Sequence, residues 1–397
     1  MRVLPIITKV LIVFLIFLQY NAFGQNATPY SIGNTYKIHS KILKEDRSYI
    51  LELPSSYKTS KAKYPILVLL DGEISYHSHS GILKQMTEGR QIPEMIIVAI
   101  TNVDRVRDYT PTNYLTNLNG SSAVDNHKTS GGSAEFLKFM EEELLPKIEK
   151  TYRTSAFKTL VGISHGGLLV GSAFLSKETS FNAFVSMDPS FWWDNQYLIK
   201  QLENTDLNQI KDKRIYVSTA DKFENFDRIP HVFTTNINSQ ENFNTTLKNK
   251  GFSPNQVAFE YFKEENHWTV ALISLYQGMQ FIYKGLKMKN AQESTLEEII
   301  TYYKTYYNGE FLPPENEINA IGYYHLKNDI KKALPFFKLN VSNYPTSSNA
   351  FDSLGEVYMG SGDKEKALKN YKESLRLNPK NANAKKIIEQ LSAKKNN

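Results

Sequence analysis

The chain has 397 residues, no cysteine and a formal charge of +6, with 41% hydrophobic and 22% charged residues. Such a chain can bury the cores of one large and one smaller domain, which excludes a disordered protein. The missing cysteines exclude disulfides, a thiol nucleophile and thiolate metal sites. So mild a charge, without a basic block, points to no nucleic-acid partner.

Arg2 and Lys9 bracket a basic start, followed by the apolar run VLIVFLIFLQY ending at Tyr20 and by small residues at Ala22 and Gly24. This pattern predicts a signal peptide over residues 1–24, cleaved before Gln25, and an exported protein, periplasmic or secreted. The run is short against the ~20 residues of a membrane span, so no stable insertion is expected after cleavage. Removing the leader takes away Arg2 and Lys9 and lowers the formal charge to +4.

Residues 28–60 hold two strand-like runs, YKIHSKIL and SYILELP, the second ended by Pro54. KYPILVLLDG and MIIVAI are continuous apolar runs of the kind buried inside a parallel sheet. The polar residues 101–132 read as a long surface loop. Phe136, Phe139, Met140, Leu144 and Ile148 recur at helical spacing over 133–150. TLVGIS then predicts a strand and GLLVGSAFLS a helix. FNAFVSMD, RIYVSTA and VAFEYF are further strands, and a long helix is expected from Thr269 to Leu286. Alternating strands and helices predict an α/β domain over residues 28–290 with a mostly parallel sheet.

The tail, residues 296–392, offers no strand. At an offset of 34 residues Tyr324 matches Tyr358, Ala333 matches Ala367, Phe337 matches Tyr371 and Pro345 matches Pro379. Small residues let paired helices approach, aromatics fill between them and prolines open the turns. The period and positions resemble tetratricopeptide repeats: two units, a degenerate earlier one over 296–312 and a capping helix over 382–392. Such repeats offer a surface to a protein partner.

Gly162-Ile163-Ser164-His165-Gly166-Gly167 is a G-x-S-x-G motif between a predicted strand and a predicted helix. That context holds a serine oxygen at the apex of a tight turn, with glycines permitting close backbone passage and a helix N-terminus beneath the developing charge. Ser164 is therefore the expected nucleophile. The backbone N–H of His165 is one expected oxyanion donor, and that of Gly72 or Glu73, after the first central strand, is the other. Of the eight histidines, His165, His231, His267 and His325 follow Ser164. His267 lies between a strand and a helix, where this fold places its base, so it is preferred to His231. The acid is sought after RIYVSTA, where Asp221, Glu224 and Asp227 qualify by order; Glu224 is favoured and Asp221 is the alternate. A histidine oriented by water or an amide is the remaining option.

Together with IHSKILKEDRSYILELPSSY, YPILVLLDGE, AITNVDRVRDYTPT, KTLVGISHGG, SMDPSFWWD and ENHWTVALISLYQG, these motifs resemble the "putative esterase" family of α/β-hydrolases over residues 35–287. That family includes siderophore, feruloyl and acetyl-xylan esterases, S-formylglutathione hydrolases and mycolyltransferases; the motifs are most similar to its siderophore-esterase-like branch. The resemblance implies a serine esterase acting through an acyl-enzyme at Ser164 and His267, on a small ester such as a siderophore, aromatic or sugar ester, with no metal or organic cofactor. It supports an acid near Glu224. It places Arg105, Arg107, Trp192 and Trp193 at the substrate pocket: the arginines to pair with an anionic substrate or internally with Asp108, the tryptophans to stack or to pack. His165 departs from the aromatic or apolar residue usual at that position. Acyl transfer uses the same acyl-enzyme, and a non-catalytic scaffold acting through the repeats is the reading from a different class.

Overall fold

The computed structural model describes residues 31–222, 230–284, 291–306 and 312–393. The predicted leader and Glu224 lie outside the described residues. The strands are β1 (Asn34–Ser40), β2 (Glu45–Glu52), β3 (Tyr64–Leu69), β4 (Ile96–Ile100), β5 (Thr154–Ile163), β6 (Ala183–Met187), β7 (Arg214–Lys222) and β8 (Val257–Asn266). They form one sheet in the order β1-β2-β4-β3-β5-β6-β7-β8. Only the β1–β2 and β2–β4 pairs are antiparallel; every pair from β4 to β8 is parallel. β3, β4 and β6 are buried at every position, as continuous apolar runs covered by helices on both faces should be.

The helices of this body are α1 (Gly72–Glu88), α2 (Arg105–Tyr109), α3 (Val124–His127), α4 (Ser133–Phe139), α5 (Leu145–Thr151), α6 (His165–Leu175), α7 (Trp193–Asn204), α8 (Pro230–Asn249) and α9 (Val270–Ile282). The chain leaves β3 for β4 on one side and returns through α4 and α5 to β5 on the other. Ligand crevices open at such a reversal, beyond the carboxyl ends of the strands. α1 leaves β3 there and α6 leaves β5 beside it. α6 is held by Leu168, Leu169, Val170 and Phe174, all buried, at about 1.5–3 kcal/mol each.

The structure departs from the expected elements in four places. The loop over 101–132 contains α2 and α3, because the Asp104 carboxylate accepts from the Arg107 N–H (3.0 Å) and caps α2 while Tyr109 is fully buried. The helical run over 133–150 passes through a π turn at Met140–Leu144. Glu143 there accepts from Ser40 Oγ (2.5 Å) and Lys41 N (2.9 Å), and those contacts stop β1 short of the Ile42-Leu43 pair the sequence assigns to it. The last helix of the body ends at Ile282, short of Leu286.

The tail is helical: α10 (Leu296–Tyr306), α11 (Glu315–Leu326), α12 (Ile330–Asn343), α13 (Ser348–Gly360), α14 (Lys364–Leu377) and α15 (Ala382–Ala393). Phe337 lies against Gly322, where a Cβ would come within 2.8 Å of its ring, and Tyr371 lies against Gly355 in the next pair at 3.1 Å. Ala333 and Ala367 are fully buried at matching places. These are the small and large positions that repeat along the sequence. The helices dock on the body: Lys61 N donates to Asn343 O (3.3 Å), Thr346 Oγ1 to Lys58 O (3.2 Å), and Leu312 packs on the main core. A cleft of about 620 Å³ opens between Tyr64 and Glu94 of the body and Tyr303, Glu315 and Tyr344 of the helices. A chain ended at Lys284 uncovers this surface. It is expected to melt at a lower temperature and aggregate more readily, yet to keep its rate per folded molecule; melting and ester-turnover measurements check both.

Candidate active site

Ser164 joins β5 to α6 with φ 60° and ψ −121°, a strained conformation for a side-chain-bearing residue. Its amide donates to Met187 O (3.0 Å), and its carbonyl accepts from Leu168 N (2.9 Å) and Ser190 N (3.1 Å), so both groups are held. The flanking glycines are required by space. A Cβ on Gly162 would lie 2.7 Å from the Gly166 backbone, and one on Gly167 would lie 2.9 Å from Pro189. The serine is thus presented at the crevice by a turn that only this glycine pattern permits.

Asp71 begins the turn from β3 into α1 with φ 56° and ψ 43°. A Cβ on Gly72 would meet the Ala99 backbone at 2.9 Å, so a glycine alone fits over β4. The Asp71 carbonyl takes the N–H groups of Ile74 and Ser75 (both 3.0 Å). The amides of Gly72 and Glu73, first in α1, have no carbonyl a turn behind them in the helix, and the same holds for His165 at the start of α6. Two helix N-termini converge beside Ser164, an arrangement suited to a developing oxyanion.

His267 follows β8. Its Nδ1 lies 2.6 Å from Asp188 Oδ2. Asp188 is 1% exposed, at the end of β6, with φ 39°. Its N–H donates to Ser218 O (2.9 Å), and its Oδ1 accepts from Gln240 Nε2 (3.0 Å), Thr219 Oγ1 (3.2 Å) and Asn236 Nδ2 (3.3 Å). The acid favoured after β7, Glu224, lies outside the described residues, and the carboxylate found on His267 among the described residues is Asp188. Asp221, the alternate, takes the Tyr261 hydroxyl instead. Asp188 lies within SMDPSFWWD at the end of β6, one strand before the run RIYVSTA after which the sequence suggests the acid. Asn236 and Gln240 carry no sequence signal, since α8 is brought over the β6 end only by folding. His325 stacks on Phe336 (5.1 Å between ring centres) in the helical tail.

Arg105 and Arg107, expected to pair with an anionic substrate or internally with Asp108, both meet carboxylates of the fold. Arg105 pairs not with Asp108 but with Asp71, Nε to Oδ1 at 2.7 Å and Nη2 to Oδ2 at 3.1 Å. Arg107 reaches Glu45 (2.6 Å) and Asp108 (2.8 Å), and the latter also binds buried Arg47 (2.7 Å). Both guanidinium groups are engaged by carboxylates of the fold. Trp193 is fully buried, with Nε1 donating to Thr112 Oγ1 (3.1 Å), so it packs and does not stack on a ligand. Trp192 is partly buried against that core. The His165 ring meets Trp193 (5.2 Å) and His127 (6.1 Å). Burial first, then the charges of Arg105, His127 and His267, push its pKa down to about 3. It is neutral at working pH, which suits a wall of the site and not a second base.

His79, inside α1, is buried and pushed down to about 4 by that burial. Below pH 6.5 the unfolded chain takes a proton that folded His79 refuses. Its contribution is whole above pH 6.5 and is lost as pH falls toward about 4, at roughly 1 kcal/mol per pH unit. Thermal midpoints across that window should fall in the wild type and fall less in His79→Gln; parallel slopes count against the assignment.

A serine at a strand–helix elbow, two converging helix N-termini and a histidine bonded to a buried carboxylate define a serine hydrolase of the α/β-hydrolase class. The chain belongs to the "Putative esterase" family, whose model matches residues 40–277, and a tetratricopeptide-repeat model matches 348–381. It is a serine-type carboxylic ester hydrolase related to siderophore esterases, followed by a helical repeat region. The ferri-bacillibactin esterase BesA of Bacillus subtilis is 25% identical over 196 residues, covering 46% of this chain and 67% of BesA. An IroE-like serine hydrolase of Shewanella oneidensis superimposes with a TM-score of 0.67 at 27% identity, over 78% of this chain and 98% of its own. A protein of Capnocytophaga ochracea shares the fold over 91% of this chain and 99% of its own, with a TM-score of 0.56 at 19% identity.

Proposed function

We propose that this protein hydrolyses a siderophore ester, with Ser164 as nucleophile, His267 as base and Asp188 as the carboxylate that orients it. The observation that carries the reading is the 2.6 Å contact between His267 Nδ1 and Asp188 Oδ2. It fixes the imidazole with Nδ1 on Asp188, so that Nε2 is the ring nitrogen assigned to take the serine proton. Ser164 Oγ attacks the ester carbonyl as its proton passes to His267 Nε2. The oxyanion is held by the N–H of His165 and by that of Gly72 or Glu73. The C–O bond breaks and the alcohol leaves with the proton from His267. Water then gives a proton to His267, attacks the acyl-enzyme and releases the acid as Ser164 Oγ recovers the proton. The Asp188 carboxylate stabilises the imidazolium.

The substrate class rests on the relatives: BesA is a ferri-bacillibactin esterase, and an Escherichia coli relative 28% identical over 196 residues is an apo-salmochelin esterase. With Arg105 and Arg107 held by carboxylates, recognition of the substrate falls to the partly exposed ring of Trp192 and to Trp268, which is 67% exposed beside His267. We propose that residues 1–24 are a leader and that the enzyme works outside the cytoplasm; the N-terminus of the purified mature protein, expected at Gln25, tests this. No helix among the described residues is long and apolar enough to cross a membrane.

A panel of catecholate siderophores, acetylated and feruloylated sugars and short esters, with wild type and Ser164→Ala side by side, tests the reading. Turnover of siderophore esters above the rest supports it, and preference for glycan esters overturns it. Added alcohols that divert the acyl group to new esters would make the protein a transferase.

A further inference from the structure

Resting on the oxyanion reading above, we propose that Arg105 and Asp71 form a positioning pair that locks the two backbone segments of the oxyanion pocket to each other. The segments come from different strands. One is Ile163-Ser164-His165 at the end of β5, and the other is Asp71-Gly72-Glu73 at the end of β3. Arg105 touches both. Its fork closes on the two Asp71 oxygens at 2.7 and 3.1 Å, and Nη2 also donates to the Ile163 carbonyl at 3.0 Å. Ile163 is the residue before the nucleophile, and Asp71 is the residue before the first candidate donor on α1.

Asp71 is built for this task and not for solvent. It is 2% exposed, in the left-handed region, and its N–H donates to the Tyr109 hydroxyl (3.2 Å). Asn102 Nδ2 donates to Asp71 Oδ1 (2.7 Å) and to Glu73 Oε1 (2.5 Å), tying both ends of the turn. The carboxylate also abuts the first turn of α6, since a Cβ on Gly166 would lie 3.2 Å from Oδ2. Two consequences follow. A left-handed non-glycine turn persists only where its surroundings hold it, and the fork does so. A buried carboxylate beside a developing oxyanion would repel it, and the guanidinium cancels that charge. A lysine would supply the charge as a point, without the planar fork that reaches three oxygens at once. Arg105 is itself fixed. It stacks over Tyr109 at 5.4 Å and lies on α2, which Arg107, Asp108, Glu45 and Arg47 anchor.

The test compares wild type, Arg105→Gln, Arg105→Lys, Asp71→Asn and the Arg105→Gln/Asp71→Asn double variant. Ester kinetics are read together with amide hydrogen exchange in peptides covering 70–75 and 163–168. Each glutamine or asparagine variant should lower kcat by about 100-fold with KM little changed, the cost of one misplaced oxyanion donor. The double variant should be no worse than the poorer single, because the pair acts as a unit. Arg105→Lys should fall between, and in Arg105→Gln exchange should quicken in both peptides. A raised KM at unchanged kcat would make Arg105 a substrate ligand and overturn the pair, as would losses that multiply in the double variant. Fluorophosphonate labelling of wild type separates the two readings. Without labelling at Ser164 the catalytic reading fails, and exchange alone then decides the pair: quickening in both peptides supports it, quickening in one or neither overturns it.

Discussion

Replacing Ser164 with alanine is expected to cut ester turnover by about 10⁴-fold or more while leaving the fold and the melting temperature nearly unchanged. The loss is large because no other hydroxyl can take the place of one held at an elbow. Ser164 sits at φ 60° with its backbone bonded to Met187, Leu168 and Ser190. The stability change is small because the substitution removes one oxygen at a partly exposed position and leaves the glycine contacts of Gly162 and Gly167 in place. A fluorophosphonate should label wild type stoichiometrically and leave Ser164→Ala unmarked. Labelling of the variant, or turnover within tenfold of wild type, would move the nucleophile elsewhere.

Asp188→Asn should lower kcat by about 10³–10⁴-fold with a modest change in KM. The amide keeps the size of the side chain, but it can present an N–H to His267 Nδ1, turning the imidazole to the tautomer that cannot accept the serine proton. Oδ1 of Asp188 also gathers Thr219, Asn236 and Gln240, so part of the loss comes from the disturbed network. Asp221→Asn is the comparison. That carboxylate meets the Tyr261 hydroxyl, and its replacement should leave kcat within a few-fold. Glu224→Gln belongs in the same series. If it, and not Asp188→Asn, abolishes turnover, the acid is the one expected after β7.

The family match and the helical tail carry different implications. The esterase model ends at residue 277, and the repeat model begins at 348. Lys58 and Lys61, inside the first match, contact Thr346 and Asn343, just before the second, and seat the helices on the body. The helical repeats thus pack on the esterase body.

Much of this enzyme is written locally. Gly162, Ser164 and Gly166 announce an elbow because the chemistry and the sterics of one tight turn demand those residues in a row. Apolar runs such as Ile66–Leu70 announce buried parallel strands, and the 34-residue spacing of Ala333 with Ala367 announces stacked helix pairs, since each reflects a short-range period. His267 stands between a strand and a helix in the sequence, as it does in the fold. The partners of these groups were not legible, because pairing across a sheet depends on which strand ends become neighbours. Asp188 meets His267 across 79 positions of chain, and Arg105 meets Asp71 across 34. An arginine or a tryptophan reads as a ligand in sequence because its charge or ring is available there. Folding gave Arg105 to Asp71 and buried Trp193 beneath His165, since an unpaired charge or a large ring is stabilised wherever the packed chain can first satisfy it.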